Sequence, residues 1–269
     1  MSFMEPFAYP NQYWPNGVHK ILACGSTAFI GKIDDFTVLK YPRERGYLAC
    51  IEHEHRLLEI VGSHERIIAI AGQGLTDCGL YLERASNGDL ATFVLGSRQG
   101  DMSLRNRIAW CRELVEALVH VHSKRVIHCD VRPANVLLDD DLHIKLADFQ
   151  GCLLDDNGEV LVSTLVGEPW RYYCPRNEST EMPSPKTDIF ALGSTIHFIM
   201  TGEEVFDDIK TGEVDWDKKI QSRFTEGVFP DDEHPLAMIT RKCWMQRYGS
   251  ASEVLEEIER VERNWTRLF

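Results

Sequence analysis

His128-Cys129-Asp130-Val131-Arg132-Pro133-Ala134-Asn135-Val136-Leu137-Leu138 decides how this sequence is read, and Ala147-Asp148-Phe149-Gln150-Gly151 follows it at a hairpin's distance. Two short apolar runs, Val136–Leu138 and Ile144–Leu146, flank the turn-forming Asp139-Asp140-Asp141-Leu142-His143, so they are expected to pair as a hairpin. A single Asp or Asn in such a place is explained well enough as a turn residue that satisfies backbone donors. A His, two Asp and an Asn at fixed spacing around one hairpin are more specific than that explanation needs.

Outward from the hairpin, the second half of the chain reads as mainly helical. Leu104–Lys124 places Ile108, Leu114, Leu118 and Val121 at helical spacing, and a strongly apolar helix is expected from Asp188 to Met200. The tail, Ser250–Leu268, is a charged amphipathic helix that opens on Ser250 and Glu253, a capping-box pair. Toward the N-terminus the pattern changes to short β-branched runs broken by Gly, Asp or Pro: Ile21–Cys24, Phe29–Ile33, Thr37–Tyr41, Ile67–Ala71 and Leu80–Leu82. One helix interrupts them, Leu48 to Val61, with Leu48, Ile51, His55, Leu58 and Val61 on one face and Glu52, Glu54, Arg56 and Glu59 mostly on the others. Residues 1–18, rich in Pro, Asn, Tyr and Trp without a period, read as an irregular lead-in.

With 269 residues, 43% hydrophobic, 26% charged and 10% aromatic, the chain has the proportions of a folded globular protein of one large unit or two modest lobes. Disorder, collagen-like repeats and small disulfide scaffolds are excluded by the same proportions. The 29 basic and 42 acidic residues leave a formal charge of −13, which repels phosphate backbones and anionic lipid on average. Neither nucleic acid nor a membrane is therefore an expected partner. Eight cysteines are scattered with no CxxC pair and no Cys/His cluster of metal-ligand spacing, as expected of reduced, structural thiols. The first residues lack a basic segment followed by an apolar one, and no run of about 18 apolar residues occurs, so the cytoplasm, with the nucleus open, is the expected location.

H-x-D-x-x-x-x-N at His128–Asn135, taken with D-F-x at Asp148–Gln150, resembles the catalytic loop and the metal-binding motif of the protein kinase family. The resemblance covers residues 19–262, with no room for a separate regulatory domain expected. It implies an α+β, bilobal protein-kinase-like fold: a small antiparallel β-rich N-lobe with one helix over residues 19–83, a hinge at 83–88, and a larger, mainly helical C-lobe over 89–269. Nucleotide would lie in the cleft between the lobes. ATP and Mg²⁺ are the implied cofactors, and a protein hydroxyl the implied acceptor; the substrate itself and the oligomeric state stay open.

The roles implied by the resemblance fall on particular residues. Asp130 orients the acceptor hydroxyl, Arg132 stands where a lysine usually reaches the γ-phosphate, and Asn135 and Asp148 are the metal ligands. Lys40, at the end of Val38-Leu39-Lys40, matches the lysine that contacts the α- and β-phosphates, although a lone lysine at a strand end is usually just solvated. Its carboxylate partner is expected to be Glu54, because Glu54-His55-Arg56-Leu57-Leu58 resembles the register of the family's helix; Glu52 lies about 200° away on that helix, so the two cannot both face Lys40. Gly25 holds the place of the glycine-rich loop, where Ala23 and Ala28 replace two of the usual glycines. Glu83 and Ala85 correspond to the hinge, with Asp89 placed for the ribose, and Ile30, Val38 and Leu137 would sandwich the purine; each of these three is also a reasonable core residue. Lys186-Thr187-Asp188-Ile189-Phe190-Ala191-Leu192-Gly193-Ser194 resembles the family's helix whose buried aspartate braces the catalytic loop, against the simpler reading of Asp188 as a helix cap.

Several positions depart from the family pattern. Cys129 replaces the arginine that binds a phosphorylated activation loop, so phosphorylation of Ser163, Thr164, Tyr172 or Tyr173 is not expected to be the main on-switch. Gln150 replaces the glycine of D-F-G and stiffens a hinge without removing a metal ligand. In Gly167-Glu168-Pro169-Trp170-Arg171-Tyr172-Tyr173-Cys174-Pro175-Arg176, Arg176 stands in place of the glutamate of A-P-E. Lys242-Cys243-Trp244 resembles a late helix of the family, without the arginine expected after it. Pro133 favours the serine/threonine type. Two alternatives to a protein kinase remain: a pseudokinase that binds nucleotide or protein as a scaffold, and a phosphotransferase acting on a small molecule.

Overall fold

The computed structural model describes residues 13–96, 102–163, 168–176 and 182–266. Thr164, Gly167, Leu268 and most of the expected lead-in lie outside these residues. The chain forms two compact units, residues 1–55 with 69–84, and residues 56–68 with 85–269.

The first unit is built on a five-stranded antiparallel sheet. Its strands β1 (Lys20–Cys24), β2 (Ala28–Lys32), β3 (Thr37–Pro42), β4 (Ile70–Thr76) and β5 (Gly79–Glu83) lie in the order β1-β2-β3-β5-β4. Strand β3 is rich in β-branched and aromatic residues and sits in the middle, where its two faces separate by the period of 2. Leu39 and Tyr41 turn to one side, packing with Val18 and Phe29. Ile30, Lys40 and Leu80 are direct cross-strand partners, and Val38 pairs with Leu82, so all five share the other face.

Strand β4 is displaced from its expected place at Ile67–Ala71. Ile67 bridges Leu146 and the Ile68 N–H donates to Leu146 O at 3.0 Å, so both apolar residues serve the second unit instead. Helix α1 (Ala49–Val61) follows β3 and buries Ile51, Leu57, Leu58 and Val61, as its period requires. Glu54, expected off the apolar face, is buried with them at 1% exposure.

The second unit takes up residues 56–68 through Arg66, whose guanidinium lies 3.3 Å from Glu113 and 3.5 Å from Glu116. Both acids stand on helix α3 (Leu104–Ser123), capped by Ser103 Oγ, which accepts from Asn106 N–H at 3.2 Å. The short helix α2 (Leu90–Leu95) precedes it. Strands β6 (Val126–Ile127), β9 (Cys152–Leu154) and β10 (Val160–Ser163) form one small sheet, and β7 (Val136–Leu138) with β8 (Ile144–Leu146) the expected hairpin.

Helix α4 (Pro185–Thr201) starts ahead of the expected Asp188, because Pro185 at its first position and the Ser184 N–H on Thr187 Oγ1 (3.2 Å) begin the turn earlier. It is apolar nearly all round and buried from Thr187 to Met200. Helices α5 (Trp216–Thr225) and α6 (Ala237–Trp244) pack Phe224 and Trp244 against Phe190 and Phe206, with ring centroids of Phe224 4.9 Å from both phenylalanines. Helix α7 (Ala251–Thr266) follows Ser250, whose Oγ accepts from Glu253 N–H, while Glu253 reaches back to the Gly249 N–H at 2.9 Å. Among the described residues, no helix is long and apolar enough to cross a membrane.

Candidate active site

In the first unit the chemistry gathers on the sheet face shared by Ile30, Val38 and Lys40. Lys40 Nζ forms an ion pair with the Glu54 carboxylate, and the two side chains are 8% and 1% exposed. Glu52, the other candidate, is exposed. Gly25 lies in the β1–β2 turn with its N–H on Ala28 O at 2.8 Å; a Cβ there would meet only that oxygen, at an ordinary 3.5 Å. Glu83 closes the end of β5 by donating its N–H to Ala69 O and accepting from Ala69 N–H, both at 2.9 Å.

In the second unit Asp188 organises the segment from His128 to Asn135. Its Oδ2 accepts from the His128 N–H and from His122 Nε2, both at 2.8 Å, and its Oδ1 from the Cys129 N–H at 2.9 Å. It does not cap α4. The bonds hold Cys129 at φ +62°, a conformation uncommon for a side chain with Cβ. His128 is fully buried. Its Nδ1 accepts from the Asp130 N–H at 3.3 Å, so the ring proton sits on Nε2, which donates to Ala147 O at 3.0 Å.

Asp130, Arg132 and Asn135 come together around one carboxylate. Arg132 Nε lies 3.0 Å from Asp130 Oδ1 and 3.1 Å from Oδ2. Asn135, at the end of the tight turn Pro133–Asn135, donates its amide to Asp130 O at 2.9 Å and to Asp130 Oδ2 at 2.7 Å. Burial pushes the Asp130 carboxyl above the ordinary range; Arg132, His128 and Asn135 pull it back in part, and the negative charge of Asp148 pushes it further up. Asp148 stands at φ +66°, next to Ala147, whose N–H donates to Asn135 O at 2.9 Å. Its Oδ1 accepts from Gln150 Nε2 at 2.6 Å.

The expected adenosine contacts are placed as follows. Leu137 and Asp89 meet in an isolated bridge, flanked by Leu138 N–H on Gly88 O at 2.8 Å. Both Asp89 oxygens are used in capping α2, accepting from Thr92 N–H and Thr92 Oγ1 at 2.8 Å each. Ala85 O accepts from the Gly88 N–H at 3.3 Å.

Further contacts in the following segment were not legible from single residues. Gly151 presses against β6: a Cβ there would fall 1.9 Å from Ile127 O and 2.6 Å from His128 O. Cys129 sits with Ile127, Cys152 and Leu154 in an apolar cluster; contact with the Cys152 thiol, then burial, holds its own thiol well above the ordinary range. Arg176, in place of the glutamate of A-P-E, pairs with Glu168 at 2.7 Å and covers the Tyr173 ring at 4.7 Å. Burial pushes Glu168 up to about 7 against the pull of Arg176, with Asp188 adding to the rise. Arg171 is buried and donates to the carbonyls of Val205, Phe206 and Ile209, the second at 2.9 Å. Tyr172 OH donates to Glu204 Oε2 at 3.0 Å.

A family model described as protein kinase domain matches residues 36–252. The chain is also similar to U-box domain-containing protein 33 of Arabidopsis thaliana, 33% identical over 144 residues that cover 52% of this chain and 17% of that protein. Serine/threonine-protein kinase PDK1 of Cryptococcus neoformans var. grubii serotype A is 30% identical over 152 residues, 54% of this chain and 12% of that protein. Serine/threonine-protein kinase SIK3 homolog of Danio rerio is 30% identical over 179 residues, 65% of this chain and 14% of that protein. The chain thus spans 12–17% of the length of these curated relatives. It belongs to the protein kinase family.

Proposed function

We propose that this chain is an ATP- and Mg²⁺-dependent protein kinase that transfers the γ-phosphate of ATP to a protein hydroxyl, with serine or threonine as acceptor. The observation that carries the reading is the buried ion pair of Lys40 and Glu54. Taking two charges out of water costs several kcal/mol per ion, on the order of what their attraction returns, so a mere scaffold gains little by keeping the pair. A lysine held rigidly by a carboxylate is, by contrast, what positioning of nucleotide phosphates needs.

Asp130 is oriented to accept the proton of the acceptor hydroxyl, held by Asn135 on one side and Arg132 on the other. Its raised proton affinity suits a base better than that of a fully solvated aspartate. Arg132 keeps a positive charge beside the reacting groups, with its planar fork in place of a point charge. When bound, Mg²⁺ neutralises charge on the phosphates. Asn135 and Asp148 fit it: the Asn135 amide nitrogen is committed to Asp130, which leaves its oxygen as the ligating atom, and Asp148 offers a second hard oxygen. The serine/threonine preference draws on Pro133 and on the names of two of the relatives.

The test is incubation with γ-labelled ATP and Mg²⁺, alone and with a mixed panel of protein acceptors, beside Asp130→Asn. Transfer that the substitution lowers about 10²–10⁴-fold, with nucleotide binding intact, supports the reading. Nucleotide binding without transfer makes the chain a pseudokinase, the outcome that Ala23 and Ala28 in the β1–β2 turn region favour. Transfer to small alcohols but to no protein makes it a small-molecule phosphotransferase.

A further inference from the structure

Asp148 is fixed along the backbone from both directions. On one side Ala147 is tied by its N–H to Asn135 O and by its carbonyl to His128 Nε2. On the other, Phe149 is fully buried, edge-on to the His128 ring at 4.8 Å, and Gly151 is pressed onto β6 too closely to admit a Cβ. Phe149 turns inward, while Asp148, at φ +66°, and Gln150 are both partly exposed. There the Gln150 amide meets Asp148 Oδ1 at 2.6 Å; a carboxylate only accepts, so the amide nitrogen is the atom that faces it.

We propose that Gln150 is a positioning residue for Asp148, its side-chain amide fixing the rotation of the carboxylate that holds the divalent cation. The inference rests on the kinase reading above and adds a residue to it. A neutral donor on one oxygen restricts the rotation of the Asp148 carboxylate without placing a charge beside the cation. Outer partners of this kind are worth about 10–100-fold in metal affinity when removed.

The experiment measures Mn²⁺ binding by the electron paramagnetic resonance signal of free Mn²⁺, in the presence of a non-hydrolysable imido analogue of ATP, for the wild type, Gln150→Met, Asp148→Asn and the double variant. Methionine keeps the length of the side chain and removes the donor. The expected result is Mn²⁺ affinity at least about 10-fold weaker in Gln150→Met, with melting temperature and metal-free nucleotide affinity unchanged, and no additional loss from Gln150→Met once Asp148 is asparagine. Equal Mn²⁺ affinity in wild type and Gln150→Met overturns the inference and leaves the kinase reading standing, as does a loss that persists in full in the Asp148→Asn background. Absence of nucleotide-linked Mn²⁺ binding in the wild type overturns both.

Discussion

Replacing Asp188 with alanine removes the acceptor of three donors at once. The His128 and Cys129 N–H groups, at 2.8 and 2.9 Å from its carboxylate, are left inside the second unit, and His122 Nε2 loses its 2.8 Å partner. Each orphaned buried donor costs about 1–3 kcal/mol, so the two backbone groups alone give about 2–6 kcal/mol. Against a total stability of about 5–15 kcal/mol that is a large fraction. At about 2–4 °C per kcal/mol for a domain approaching this size, the melting temperature falls by about 4–24 °C. Cys129 also loses the bond that keeps it at φ +62°, so the backbone beside Asp130 relaxes and phosphate transfer falls further than stability does. Asp188→Asn keeps one acceptor oxygen and recovers part of the loss. Thermal unfolding and amide hydrogen exchange at His128 and Cys129 read the effect. A melting temperature within about 2 °C of wild type, with both amides still protected, refutes the bracing role derived for Asp188.

Other perturbations follow from the same contacts. Gly151→Ala forces a Cβ against Ile127 O and is expected to cost at least about 1–3 kcal/mol, seen as a lower urea midpoint; an unchanged midpoint contradicts the close approach. Glu168, pushed from 4.5 up to about 7, binds its proton more tightly in the folded chain, so its contribution makes stability fall as pH rises from about 4.5 to about 7 and level off above that. Glu168→Gln should flatten that slope in unfolding curves taken from pH 5 to pH 8, and a slope unchanged by the substitution goes against it. Because Cys129 lies in an apolar cluster and Tyr172 is buried with its hydroxyl on Glu204, phosphatase treatment is expected to leave the transfer rate intact. Complete loss of activity after treatment argues for phosphorylation as the switch.

Where one element's pattern carried its own reason, the sequence was enough. The apolar triplets Val136–Leu138 and Ile144–Leu146 pair in register as β7 and β8, and Leu104 does open α3 behind its serine cap. Failures came where a long-range partner overrode local pattern. Ile67 and Ile68 look like strand residues but are claimed by Leu146, while β4 runs on through Gly72 and Gly74 at φ +55° and +65°, glycines that read as punctuation. Glu54 is expected both off the apolar face and opposite Lys40; the ion pair with Lys40 forms, and it draws the carboxylate into the interior against the helical pattern. Asp89 in front of Leu90–Leu95 is an N-cap signal legible in the sequence, and its carboxylate caps that helix. Helix α2 and strands β6, β9 and β10 are too short for a pattern to reveal them, though Asn157-Gly158 between β9 and β10 is a turn signal, whereas α5 carries a legible row of Trp216, Ile220 and Phe224 at i, i+4, i+8 spacing. For the site, spacing singled out Asp130, Asn135 and Asp148. Nothing in spacing distinguishes Gln150 as a donor to Asp148, or Arg171 as a guanidinium folded onto three carbonyls; both depend on how the backbone turns.

On the function proposed above, phosphate transfer requires Asp130 and, separately, the Lys40–Glu54 pair. The most direct measurement is the initial rate of transfer from labelled ATP, with nucleotide affinity alongside, for the wild type, Asp130→Asn, Lys40→Met and Glu54→Gln. Asp130→Asn is predicted to lose about 10²–10⁴-fold in rate at unchanged nucleotide affinity. Lys40→Met and Glu54→Gln should fail together, and combining them should cost little more than either alone, since each removes the same contact. A Glu54→Gln or Asp130→Asn variant that transfers phosphate at the wild-type rate contradicts the account.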